Sequence, residues 1–227
     1  MEQLQLREKE IFETLKKIKK LEFVVIGGYA FNAYTLPRFS VDCDIVVKDH
    51  EELGKIEKEL FQTGYKKAKS IADLPYHGKF ERYEKEISVS FKVSMDILIG
   101  EVLDRQTNSK FSANWIFDNS DVRNLRGKTI GEELRLRIIN AEALFVMKLL
   151  SCRLTDMRDS FLLINYVKDK SWIKKEISAR CDFKDRLSKL TKEITSKQFK
   201  DGMQGVFGFV DDKVFEKNKK MILELEN

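Results

Sequence analysis

Apolar residues change their spacing several times along the chain, and each change predicts an element. Leu4, Ile11, Leu15 and Ile18 fall on one stripe among Lys and Glu, which predicts a covering helix over residues 1–20. The run Phe23-Val-Val-Ile26 predicts a short buried strand, followed by Gly27-Gly28 and helix-compatible residues from Tyr29 to Tyr34. Pro37 breaks the chain, and a second strand is expected from near Phe39 to Val47. Asp49 or His50 then caps a helix running to about Gln62, which Gly64 ends. A short strand is expected over 65–69, then a loop over 70–78 in which His77 reads as an exposed histidine rather than a catalytic base. Residues 79–99 predict a hairpin with its turn at Glu84–Glu86 and one long strand from Ile87 to Ile99.

The middle of the chain is less regular. Residues 101–110 predict a loop or short helix, and 110–117, with Phe111 and Trp115, a surface strand or lid. Alternation returns over 122–128 and 133–139. Asn140 is a suitable N-cap, and from Ala141 the period becomes helical, with Leu144, Met147, Leu150 and Leu154 in step. Further helices are expected over 155–168, 171–179, 183–195 and 211–225, with Gly202, Gly205 and Gly208 marking a loop before the last. The fold class is therefore α+β. A mixed sheet with flanking helices fills residues 1–139, and a C-terminal helical domain fills 140–227.

Candidate chemistry gathers on the second strand. Side chains alternate faces, so Asp42 and Asp44 share one face of a strand otherwise made of Val41, Ile45, Val46 and Val47. Two such carboxylates repel each other unless a cation lies between them, and hard oxygen ligands suit Mg²⁺, with Mn²⁺ also possible. Cys43 points the other way and reads as core. Asp96 lies in the most apolar part of a later strand, beside Ile97, Leu98 and Ile99. Alone it is as consistent with a carboxylate at a strand exit as with a metal ligand; the upstream pair favours the ligand. The Gly27-Gly28 turn lets backbone N–H groups approach an anion closely. A phosphate cradle beside paired carboxylates is equipment for metal-assisted phosphoryl or nucleotidyl transfer.

Composition narrows the partners. The excess of 42 basic over 37 acidic residues, +5, permits a nucleotide or nucleic-acid partner without demanding one. Three dispersed cysteines suggest neither a zinc site nor a disulfide framework, which fits a reducing cytoplasm. No signal peptide or membrane span is expected, since the first residues are charged and no apolar run is long enough.

Gly-Gly followed by Asp-x-Asp on a strand resembles the signature of the polymerase-beta-like nucleotidyltransferase superfamily. Arg38-Phe-Ser-Val-Asp-Cys-Asp-Ile45 is similar to the Arg-x-Thr-x-Asp-x-Asp stretch of the AbiEii-type toxin nucleotidyltransferases, with Ser40 in place of Thr. The resemblance implies Asp42, Asp44 and Asp96 as catalytic metal ligands, with Asp96 also the base for an acceptor hydroxyl. It implies Gly27, Gly28, Arg38 and Ser40 at the phosphates of an NTP such as ATP. The helical run Ala141 to Leu150 with Arg158-Asp159 extends it, placing Lys148 on the triphosphate and Asp159 beside Lys148. A lysine snorkelling from a core helix reads the same positions as structure. The family's Asp-x-x-Asp would put a second acid at position 162, where this chain has Leu162. The implied acceptor is a tRNA, a protein or a small molecule, and the implied partner an antitoxin or a second copy. A catalytically inactive binding module on the same fold is the alternative.

Overall fold

A computed structural model describes residues 2–68, 79–208 and 210–226. The loop expected over 70–78, with His77, and the aromatic Phe209 lie outside the described residues. The chain divides into two compact units. The first comprises residues 1–33, 37–103 and 110–139; the second comprises 34–36, 104–109 and 140–227.

The first unit opens with helix α1 (Glu2–Ile18), whose Ile11, Phe12, Leu15 and Ile18 are buried. Strand β1 (Val24–Val25) leads into the one-turn helix α2 (Gly27–Phe31). Strand β2 (Asp42–Val47) and helix α3 (His50–Gln62) follow. The Asp49 side chain accepts from Glu51 N and Glu52 N, which starts α3 as expected. Then come β3 (Lys66–Lys67), β4 (Phe80–Ser88) and β5 (Phe91–Ile99). A two-stranded ribbon of β6 (Glu101–Leu103) and β7 (Lys110–Ser112) precedes helix α4 (Ala113–Asp118). Strands β8 (Ser120–Arg126) and β9 (Glu133–Ile139) close the unit.

Seven strands form one mixed sheet in the order β3-β4-β5-β2-β1-β9-β8. β2 pairs parallel with β5 and β1 parallel with β9; the other neighbours are antiparallel. Cys43, Ile45 and Val47 of β2 share a face with Met95, Ile97 and Ile99 of β5, all at most 3% exposed. Helices α1 and α3 cover this face: Arg7 stacks over Phe91, and Tyr83 donates to Glu57 Oε1 at 3.0 Å. Each fully buried aliphatic side chain here contributes roughly 1.5–3 kcal/mol of transfer free energy. The opposite face carries the aspartates.

The hairpin differs from the expectation. β4 runs through Glu84–Glu86, and the chain turns at Val89–Ser90 instead. Ser90 adopts φ 72° and Val89 is 91% exposed, so the apparent long alternation from Ile87 spans two strands and the turn between them. Strand β2 also starts later than Phe39, at Asp42, because Val41 is solvent-exposed outside the ladder.

The second unit is helical: α5 (Ala141–Ser151), α6 (Leu154–Leu163), a 3₁₀ turn (Ile164–Tyr166), α7 (Lys170–Ser178), α8 (Phe183–Ile194), α9 (Lys197–Phe207) and α10 (Asp212–Leu223). Asn140 caps α5 by accepting from Ala143 N at 2.8 Å. The loop expected around Gly202 and Gly205 is helix α9. Ser196 accepts from Phe199 N, and Phe199 and Met203 anchor the helix; Phe199 packs 5.2 Å from Phe161. Buried anchors and a capped start outweigh the propensity cost of two glycines, each about 1 kcal/mol. Only Gly208, at φ +84°, ends the helix.

The turn geometry is testable by stability. Ser90→Gly removes the penalty of a left-handed serine and is expected to stabilise the protein by about 1 kcal/mol in urea denaturation. A loss of stability would place the turn elsewhere.

Candidate active site

Parallel pairing of β2 and β5 puts Asp42 opposite Ser94 and Asp44 opposite Asp96. Register partners point to the same face, so Asp96, distant in sequence, shares one face of adjacent strands with Asp42 and Asp44. Asp42 and Asp44 are partly exposed and Asp96 is buried. The Ser94 hydroxyl donates to Asp42 Oδ1.

Strand β4 adds a residue with no signal in the sequence reading. Arg82 lies directly opposite Asp96. Its Nε donates to Asp96 Oδ1 at 2.8 Å and its Nη2 to Oδ2 at 2.7 Å, while the same Nη2 lies 3.6 Å from Asp42 Oδ2. The hydrogen bonds to Asp96 outweigh partial burial and raise the Arg82 pKa above its ordinary value. On the far face, burial and then the charges of Asp44, Asp96 and Asp42 push the Cys43 thiol well above the usual range. Cys43 therefore acts as a small apolar core residue.

The glycine turn lies against Asp44, Ser40 and Arg38. Gly27 has φ +66°, and a Cβ there would collide with Asp44 Oδ2. A Cβ on Gly28 would collide with Ser40 Oγ and stand 3.3 Å from Arg38 Nη2. The Arg38 and Ser40 side chains thus lie against the turn itself. Asn32, fully buried, fixes this arrangement: its Nδ2 donates to Arg38 O at 2.9 Å, and its Oδ1 accepts from Arg38 N at 3.1 Å. The Arg38 guanidinium donates to Phe39 O and stacks over Phe31. The result is a cation and a hydroxyl held over a glycine turn beside Asp44.

The donor set for a metal is oxygen alone, from Asp42, Asp44 and Asp96, which fits Mg²⁺ or Mn²⁺ by chemistry. The glycine required against Asp44 Oδ2 fits a carboxylate held at a set position. As the side chains stand, no group of three or more His, Cys, Asp or Glu among the described residues is arranged to hold a metal ion. Arg82, bridging Asp96 and Asp42, supplies the positive charge between them.

Lys148 belongs to the helical unit, on α5. Its Nζ is 2.7 Å from Asp156 Oδ1 and 2.9 Å from Asp159 Oδ2, with all three side chains at most 8% exposed. Arg153 reaches Asp156 Oδ2 at 2.6 Å from the exposed side. Lys148 therefore has two acidic partners, Asp159 and, three residues before it, Asp156, while position 162 is Leu162. Burial pushes the Asp156 carboxyl up, but Lys148 and Arg153 together outweigh burial and hold it below the ordinary range.

No protein-family model matches the chain, and no curated protein matches it. Solved structures do share its fold. JHP933 from Helicobacter pylori is 16% identical, with a TM-score of 0.53 over 99% of this chain and 92% of that one. A second H. pylori protein, provisionally described as a nucleotidyltransferase, is 17% identical with a TM-score of 0.50 over the same shares. ANT(2")-Ia in complex with adenylyl-2"-tobramycin is 13% identical, with a TM-score of 0.51 over 77% of this chain and 96% of that one. The mixed sheet with flanking helices is thus the fold of nucleotidyltransferase structures.

Two outcomes test this geometry. Gly28→Ala forces Ser40 and Arg38 aside and is expected to cost about 1–3 kcal/mol of stability, as overpacking does. Asp156→Asn leaves Lys148 less compensated and is expected to cost about 3 kcal/mol at neutral pH. The depressed Asp156 pKa contributes stability above its unfolded value, about 4, that is lost as pH falls through the folded value. Urea titrations below pH 4 should therefore show the variant losing less stability with acid than the natural chain.

Proposed function

We propose that the chain is a metal-dependent nucleotidyltransferase that moves a nucleoside monophosphate from an NTP onto a hydroxyl. The register that sets Asp42, Asp44 and Asp96 on one face, beside the Gly27-Gly28 turn, carries this reading. The fold it shares with ANT(2")-Ia supports it.

Asp42 and Asp44 would hold Mg²⁺, or Mn²⁺ through the same oxygens, and Asp96 would complete the set. The ion, when bound, neutralises charge developing on the phosphoryl group and the leaving pyrophosphate. Backbone N–H groups at the glycine turn, the Ser40 hydroxyl and the Arg38 guanidinium bind and orient the triphosphate. Asn32 keeps Arg38 in place, so orientation costs little reorganisation on binding. Asp96 accepts the proton of the acceptor hydroxyl while the new O–P bond forms and the bond to pyrophosphate breaks.

The sequence resemblance extends the proposal. It assigns Lys148 to the triphosphate, ATP as a candidate donor, and a toxin of the AbiEii type restrained by an antitoxin or paired with a second copy. Candidate acceptors are a tRNA, a protein hydroxyl, or a small molecule; the adenylyl-2"-tobramycin bound to ANT(2")-Ia supports the last as a class. A cytoplasmic setting fits three cysteines with no disulfide between them. Among the described residues no helix is long and apolar enough to cross a membrane. A second reading, a non-catalytic binding module, is favoured by one observation: both oxygens of Asp96 are engaged by Arg82.

Transfer from each of the four α-labelled NTPs, with Mg²⁺ and a mixed pool of tRNA, protein and aminoglycoside acceptors, decides between them. Labelled product is expected with the natural chain and at least about a hundredfold less with Asp42→Asn. Equal labelling by the two would remove the enzyme reading.

A further inference from the structure

We propose that Arg82 is a resident counter-ion of the aspartate cluster, which a divalent cation displaces from Asp96 and Asp42 when the site is loaded. The inference rests on the metal-site reading above and adds a control on it. Three carboxylates on one face of two paired strands repel one another unless positive charge lies among them. Arg82 supplies that charge from the next strand. Its fork takes both oxygens of Asp96, at 2.8 and 2.7 Å, and its Nη2 reaches toward Asp42 at 3.6 Å. A planar bidentate pair of this kind holds a carboxylate in one orientation.

The fork engages the oxygens of Asp96 that would turn toward an ion shared with Asp42 and Asp44. Competition follows from charge: guanidinium and metal are both cations drawn to the same oxygens, and a divalent ion brings twice the charge. Arg82 has room to yield. Its side chain is 27% exposed, against 7% for Asp96, and its guanidinium lies 5.8 Å from the Phe80 ring, a cation–π contact of its own strand. The alternative, an arginine that stays on Asp96 and orients it as a ligand, predicts the opposite sign in a binding experiment.

The test is calorimetric titration of the full chain with Mn²⁺, for the natural protein, Arg82→Gln, Arg82→Lys and Asp42→Asn, paired with thermal melts in EDTA and in Mn²⁺. Removing one nearby positive charge is expected to tighten Mn²⁺ binding about tenfold in Arg82→Gln. Arg82→Lys, which keeps the charge without the fork, should fall between. In EDTA, Arg82→Gln should melt below the natural chain, and Mn²⁺ should raise its melting temperature by more. If Arg82→Gln is unfolded in EDTA, recovery of its circular dichroism on adding Mn²⁺ supports the displacement, and no recovery overturns it. Equal or weaker Mn²⁺ binding by Arg82→Gln overturns it too. If Asp42→Asn abolishes binding while Arg82→Gln leaves it unchanged, only the counter-ion role falls. If the natural chain binds no Mn²⁺ and Arg82→Gln binds none either, the metal-site reading falls with it.

Discussion

Strands β2 and β5 pair in parallel, and that pairing places the chemistry of the first unit. The register sets Asp44 beside Asp96 and Asp42 beside Ser94. A slip of one residue would turn every side chain of a strand to the other face. It would bury Asp42 and Asp44 under helices α1 and α3 and expose Cys43 and Ile45. The cost of burying uncompensated carboxylates is several kcal/mol each, larger than the differences among alternative apolar packings. The core on one face therefore fixes the site on the other. The fully buried Cys43, Ile45, Met95 and Ile97 determine where the aspartates point.

Two charge clusters differ in how far they are enclosed. In the helical unit Lys148 is enclosed by Asp156 and Asp159, with two acids to one enclosed cation and Arg153 outside. That cluster is nearly closed to water, and its worth lies in what breaking it would cost. On the sheet, Arg82 reaches Asp96 and Asp42 and remains partly exposed, as do Asp42 and Asp44. A closed cluster suits a fixed structure; an open one can exchange its cation. The glycine turn differs again, because the backbone of Arg38 is anchored there by buried Asn32.

The part of the site legible in the sequence was the part governed by strand period and backbone freedom. Asp42 and Asp44 share a face by alternation, Asp96 stands out as an acid in an apolar strand, and Gly27-Gly28 marks a turn. Arg82 was hidden by the hairpin. With the turn placed at Glu84–Glu86, its cross-strand partner could not be counted; with the turn at Val89–Ser90, pairing back along the strands puts it opposite Asp96. Serine in a left-handed turn gives a weaker signal than glycine, and an alternating stretch ran straight through it. Asn32 had no signal, since a buried asparagine becomes notable only when its two backbone bonds are seen. Asp156 stands before Arg158-Asp159, where the resemblance places no acid, and its pairing with Lys148 is visible only in the fold. Gly202 and Gly205 disguise helix α9, whose buried anchors Phe199 and Met203 outweigh glycine propensity.

The central claim is that Asp42 and Asp44 grip a divalent ion beside a nucleotide seated on the glycine turn. A crystal grown with Mn²⁺ and a non-hydrolysable NTP, measured at the manganese absorption edge, tests it directly. An anomalous peak is expected about 2.0–2.3 Å from oxygens of both aspartates and of the triphosphate. A nucleotide seated on the turn with no anomalous peak at those carboxylates, or an ion bound elsewhere on the chain, would contradict it.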